Sequence, residues 1–190
     1  VGTLTLQNST LPTKTLDNNP IIMTGGSTTL QVKHRNHHMY ATSNNVTISG
    51  VSTGITTTLN GAITAAATSL TLTSGTNFDD TSGKYSNSAS SEWWIKIDDE
   101  IMKYTTISTN AVSSVTRGQQ GTTAASHADG ATVELFIIHK VPLYEINKTH
   151  TAIANIGIDN YTVSLSSTPV TDGSTGVAEL GGSSVTATEN

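Results

Sequence analysis

Residues 93–123 read WWIKIDDEIMKYTTISTNAVSSVTRGQQGTT, and the pattern of this stretch decides the fold class. Apolar and polar residues alternate through 93–98, 100–108 and 111–117, the period of strands with one face buried. The runs are separated by Asp98-Asp99 and Thr109-Asn110, steps suited to tight turns because short polar side chains bond nearby backbone N–H groups. Three strands joined by two turns are expected.

The same stretch places Asp98, Asp99 and Glu100 in a row ahead of Arg117. Carboxylates beside a base form either a reaction centre or a polar corner, and their position at a turn favours the corner. Glu100 opens a strand and is expected to reach Arg117 on a neighbouring one, with the Gly118–Gly130 loop folded over the pair. Such a buried ion pair fixes register more than it adds stability. A catalytic dyad would need a nucleophile or a second well-placed acid. A calcium site would need spaced ligands, whereas consecutive strand residues point to opposite faces.

Working outward, alternation continues. Leu30 and Val32 share a face in TTLQVKH, Val46 and Ile48 in NNVTISGV, and Leu70 and Leu72 in SLTLTSG. TVELFIIHK (132–140) is the most apolar strand, and VPLYEINKTH (141–150) suits one helical turn with Pro142 at its start. TAIANIG and NYTVSLSS read as a closing hairpin between Gly157 and Asn160. No amphipathic helix of normal length is present, and the class is all-β.

Charged residues make up 12% of the 190-residue chain and the net charge is −5, which leaves no basic footprint for nucleic acid or anionic lipid. No apolar run is long enough to span a membrane as a helix, and no secretory signal is expected from the opening residues. Val1 and the abrupt TATEN end suggest cuts in a longer polypeptide. Hydrophobics are 35%, aromatics 5%, and cysteine is absent, so the core is thin and unstapled. Such a core is expected to draw support from partners.

Two segments carry a resemblance. IKIDDEIMKYTTISTNAVSSVTRGQQGTTAASHADGATVEL resembles a module of tailed-phage virion proteins in which a GDE-like turn leads to an RG..GT.AA.H..G loop and a final strand. Asp99-Glu100, Arg117-Gly118, Gly121-Thr122, Ala124-Ala125, His127 and Gly130 match, while Asp98 stands where that turn has glycine. VKHRNHHMYATSNNVTISGV is similar to a second such module, H..HGM…VTISG, with His38 in place of its glycine. Its continuation arrives late, as VPLYEINKTHTAIANIGIDNYTV. Large structural proteins of T4-like cyanophages are the most similar in this arrangement. The resemblance implies a virion location and a structural role in tail, baseplate or fibre.

It also implies that one module is inserted in the other. The expected layout is an N-terminal β-arm (1–29) and a sandwich- or barrel-like host module (30–63 and 141–165). An inserted β-domain (64–140) and an extended C-terminal arm or linker (166–190) complete it. Insertion costs the host only a slowly growing loop-closure entropy, provided that the insert's ends meet. The segments TSLTL and ATVELFI are expected to pair and bring them together.

Two further sets of residues are candidates for binding. His34 and His38 point to one face of a strand, with His37 opposed, and form a low-ranking candidate metal pair beside the simpler reading of a polar strand end. Trp93 and Trp94 face opposite sides, so one ring should pack inward and the other should lie near solvent or a partner. With Tyr85, the outer ring suits a subunit contact or a sugar-stacking platform. No phosphate-binding loop or nucleophile elbow is visible, and no cofactor is expected. The expected function is therefore non-enzymatic assembly with copies of itself (a trimer, by analogy with fibres) and with other virion proteins. The alternative is an adhesin that recognises host-surface glycans.

Overall fold

In the computed structural model, residues 13–34, 44–79, 92–154, 157–169 and 177–189 are described. The alternating runs become short strands: β1 (Lys14–Thr15), β2 (Ile21–Thr24), β3 (Thr29–Lys33), β4 (Val46–Ser49), β5 (Thr56–Thr58) and β6 (Ser69–Thr71). Next come β7 (Trp93–Ile97), β8 (Glu100–Tyr104), β9 (Thr106–Ser108), β10 (Ala111–Ser113), β11 (Thr116–Gln119) and β12 (Thr132–Leu135). The last are β13 (Ile137–Ile138), β14 (Val141–Pro142), β15 (Thr149–His150), β16 (Asn160–Ser164), β17 (Val177–Leu180) and β18 (Thr186–Glu189). One 3-10 turn, Leu143–Glu145, follows Pro142 where a helical turn was expected. The protein is all-β, and no helix among the described residues is long and apolar enough to cross a membrane.

The sheets are antiparallel and open; none closes into a barrel among the described residues. Their orders are β1-β18-β4-β15, β16-β3-β2-β17, β11-β8-β7-β12-β5 and β6-β10-β9, with β13-β14 as a small hairpin. Three sequence expectations change here. The segments expected as an N-terminal β-arm and an extended C-terminal arm are built into the sheets: β2 pairs with β3 and β17, while β18 lies between β1 and β4. Apart from the local β2–β3 pair, these segments join opposite ends of the chain, as in Ile21 opposite Leu180 and Lys14 opposite Ala187, which local composition does not register. The ion pair between Lys33 and Glu179 also ties β3 to β17.

The second change is the seam. The strand that meets ATVEL is β5, with Thr56 opposite Glu134 and Thr58 opposite Thr132, so the five-stranded sheet begins before Ile63. SLT, as β6, pairs with β10 instead. The third is that EIMKYTTIS and AVSSVTR each break in two. β8 and β11 belong to the five-stranded sheet, while the β9–β10 hairpin leaves it to join β6. Ser114, at φ +55°, makes the return corner.

Both expected turns form. Ile97 faces Glu100 across Asp98-Asp99, and Ser108 faces Ala111 across Thr109-Asn110. Asp98 has φ +51° and Thr109 φ +56°, in the left-handed region. That conformation favours glycine, and Asp is among the residues that tolerate it.

Alternation buries Ile95, Ile97, Met102, Tyr104, Val133 and Leu135 on one face of the five-stranded sheet. Ile21, Met23, Leu30, Val32, Tyr161 and Val163 do the same on β2, β3 and β16, and all belong to one core cluster. Polar side chains bind the sheets at the seam. Asn147 receives the Val51 N–H (2.9 Å) and donates to the Val51 carbonyl (2.8 Å), imitating a strand partner. Ser52 donates to Glu134 at 2.7 Å.

Candidate functional site

The most concentrated group of ionisable side chains sits where the β7–β8 turn meets the loop after β11. Glu100, first residue of β8, points inward because its strand buries alternate positions. Arg117 comes from β11 beside it, where the ladder slips register between Thr116 and Gln119. The guanidinium grips the carboxylate with both arms: Nε donates to Oε1 at 2.8 Å and Nη2 to Oε2 at 2.7 Å. The Glu100 side chain is 1% exposed and that of Arg117 8%.

Three further donors converge on Glu100. Gly118 N–H donates to Oε1 at 2.9 Å, Ala125 N–H to Oε2 at 3.0 Å, and His127 Nε2 lies 2.9 Å from Oε2. Arg117 uses its remaining donors on backbone carbonyls, Nη1 on Thr64 (2.7 Å) and Nη2 on Ala125 (2.6 Å). The loop after β11 is thus folded over the ion pair, and the 64–67 segment is pinned from the other side. Gly118 has φ +58°, and a Cβ there would come within 3.1 Å of Ala124 N and 3.2 Å of Thr122 O. Thr122 completes the cover, accepting the Ile101 N–H at 3.1 Å and donating to Gln119 O at 2.7 Å.

His127 is the member that sequence reasoning missed. It occurred in the matched motif, but its role depends on segments that only folding brings together. Its backbone exchanges hydrogen bonds with Ile63, both 2.9 Å, and its Nδ1 lies 2.7 Å from Asp98 Oδ2. The ring is 2% exposed, whereas Asp98 is 65% exposed. An ionised carboxylate offers acceptors only, so a ring nitrogen facing one must donate. The ring thus bridges the exposed carboxylate of Asp98 and the buried one of Glu100, which Arg117 grips from the other side.

Burial by itself would raise the Glu100 pKa. The Arg117 bonds, the Ala125 N–H, His127 and the Gly118 N–H together outweigh burial and bring it from 4.5 down to about 2. A carboxylate has about four lone-pair directions, and Glu100 already receives five donors. It is saturated and firmly ionised, unsuited to passing a proton to a substrate. The arrangement clamps three segments of chain together.

Trp93 and Trp94 are both buried, at 7% and 6% exposure, which corrects the expectation of one outward ring. Trp93 stacks on Tyr104 (5.5 Å between centroids, 12° between planes), whose hydroxyl donates to Phe78 O at 2.6 Å. Trp94 faces the opposite side and meets Tyr144 edge-on at 4.9 Å, so the segment after β14 covers the ring that was expected outside. Tyr85 lies outside the described residues.

His34 is buried at the end of β3, 6.4 Å from the Tyr161 ring; His37 and His38 lie outside the described residues. Among the described residues, no group of three or more His, Asp or Glu is arranged to hold a metal ion. Glu145, also buried, was not anticipated: it accepts the N–H groups of Ser166 (2.8 Å) and Ser167 (2.9 Å) and ties down that loop. No protein-family model, curated protein or solved structure matches this chain.

Proposed function

We propose that this chain is a structural segment of a phage virion, in the tail, baseplate or fibre, and that it acts by assembly with copies of itself and neighbouring virion proteins. The observation that carries this reading is the saturation of the Glu100–Arg117–His127 cluster. The groups best placed for chemistry are spent on one another and on backbone, holding a turn, a loop and a strand in register. Short open sheets suit the same role, because an edge strand presents backbone groups for pairing with a neighbour. The motif around Asp99-Glu100, Arg117-Gly118 and His127 supports placement in a tailed particle by resemblance.

Glycan recognition through Trp93 and Trp94 has less support, since both rings are packed inside. The test is the mass of the purified chain by light scattering across concentration, together with peptide mass spectrometry of purified particles. A stable oligomer, with a trimer as the fibre analogy suggests, and peptides recovered in stoichiometric amounts from particles are expected. A monomer at every concentration whose peptides are missing from the particles would overturn the reading.

A further inference from the structure

We propose that Asn60-Gly61 is a self-modifying site, where the Gly61 amide nitrogen closes on the Asn60 side chain with the Asp129 carboxylate as proton acceptor. This is the only Asn-Gly pair in the chain, and glycine is the residue that least hinders attack of a backbone nitrogen on the preceding side chain. Both residues are exposed. Gly61 has φ +101°, and nothing lies within 4 Å of where its Cβ would stand, so a five-membered ring has room to form. The Gly61 N–H donates to Asp129 Oδ1 at 2.7 Å, which places a base on the proton that must leave.

Three other asparagines are tied. The Asn19 and Asn110 amides accept backbone N–H groups of Gly182 and Gly75, and that of Asn147 is held at both ends by Val51. The Asn60 side chain makes no hydrogen bond among the described residues, and its Cγ is free to turn toward Gly61 N.

In the step, the Gly61 N–Cγ bond forms and the Cγ–Nδ2 bond breaks. The amide proton passes to Asp129 and on to the departing nitrogen, which leaves as ammonia. Water then opens the ring to aspartate or isoaspartate at position 60, with no change of oxidation state. Isoaspartate adds a methylene to the main chain beside Leu59, whose N–H and carbonyl bond Ala131 (2.9 Å) and Gly130 (3.0 Å), so the β5 edge would loosen. The chemistry is independent of the assembly reading.

The test incubates the full chain in warm, mildly alkaline buffer, natively and in urea, and follows each asparagine by peptide mass spectrometry. Position 60 should convert ahead of Asn19, Asn110 and Asn147 in the native protein. Asp129→Ala should slow that conversion several-fold natively and leave it unchanged in urea. An Asn60 that persists while the others convert would overturn the proposal, as would an Asp129→Ala rate that is unchanged or faster in native buffer.

Discussion

Replacing Arg117 by alanine removes two bonds to Glu100 and the anchors on Thr64 and Ala125 in one step. Glu100 remains buried as an anion, facing only His127 and two backbone N–H groups. Breaking one side of a buried pair costs roughly 3–5 kcal/mol. The lowering of the Glu100 pKa from 4.5 to about 2 gives an independent scale of about 3 kcal/mol for the favoured ionised form. For a chain of this size each kcal/mol moves Tm by about 2–4 °C, so a fall on the order of 10 °C is expected. Urea and thermal melts followed by tryptophan fluorescence would measure it, since Trp93 stacks within the same sheet. Arg117→Lys should recover only part of the loss, because a lysine cannot grip both oxygens. In a double-mutant cycle with Glu100→Gln, the two losses should fall well short of adding. If Arg117→Ala melts within about 1 kcal/mol of the parent, the clamp is not what holds this corner, and the reasoning fails.

Stability should decline in two steps on acidification. His150 is pushed below 6.5 by burial, which its bond to Ile146 O only partly offsets. The unfolded chain therefore takes up that proton first, and stability is lost as pH falls below 6.5. The Glu100 contribution, full above 4.5, is lost as pH falls from there toward about 2. Urea midpoints against pH should show both steps, with His150→Asn flattening the upper and Glu100→Gln the lower. At the β7–β8 turn, Asp98→Gly should be less destabilising than Asp98→Ala by about 1 kcal/mol, since both lose the His127 contact but only alanine resists positive φ; equal melts would contradict it. Asn147→Ala leaves the Val51 N–H and carbonyl without their side-chain partner and should cost about 1–3 kcal/mol in the same melts.

The local features were legible in the sequence. Leu30 and Val32 announced a strand by alternation, and Asp98-Asp99 announced a turn. Glu100 and Arg117 were paired from their places on neighbouring strands. Features made by distant segments were not legible. Lys14–Thr15 and Val177–Leu180 looked like arms because each finds its partner across most of the chain. The breaks at Thr105 and Ser114 carry no glycine or proline to mark them, yet they divert a hairpin to another sheet. Trp94 followed the expected alternation, but the face it points to is covered by Tyr144, from a segment fifty residues on. His127 gained its role only when the 63–67 and 98–100 segments came together around it.

Imaging of the particle at side-chain resolution measures most directly where the intact polypeptide resides. Repeated copies should appear in the tail, baseplate or fibre, with open sheet edges meeting neighbouring chains and Glu100, Arg117 and His127 sealed inside each copy. Particles without the chain, or a solitary copy whose acidic cluster opens onto a bound small molecule, would contradict it.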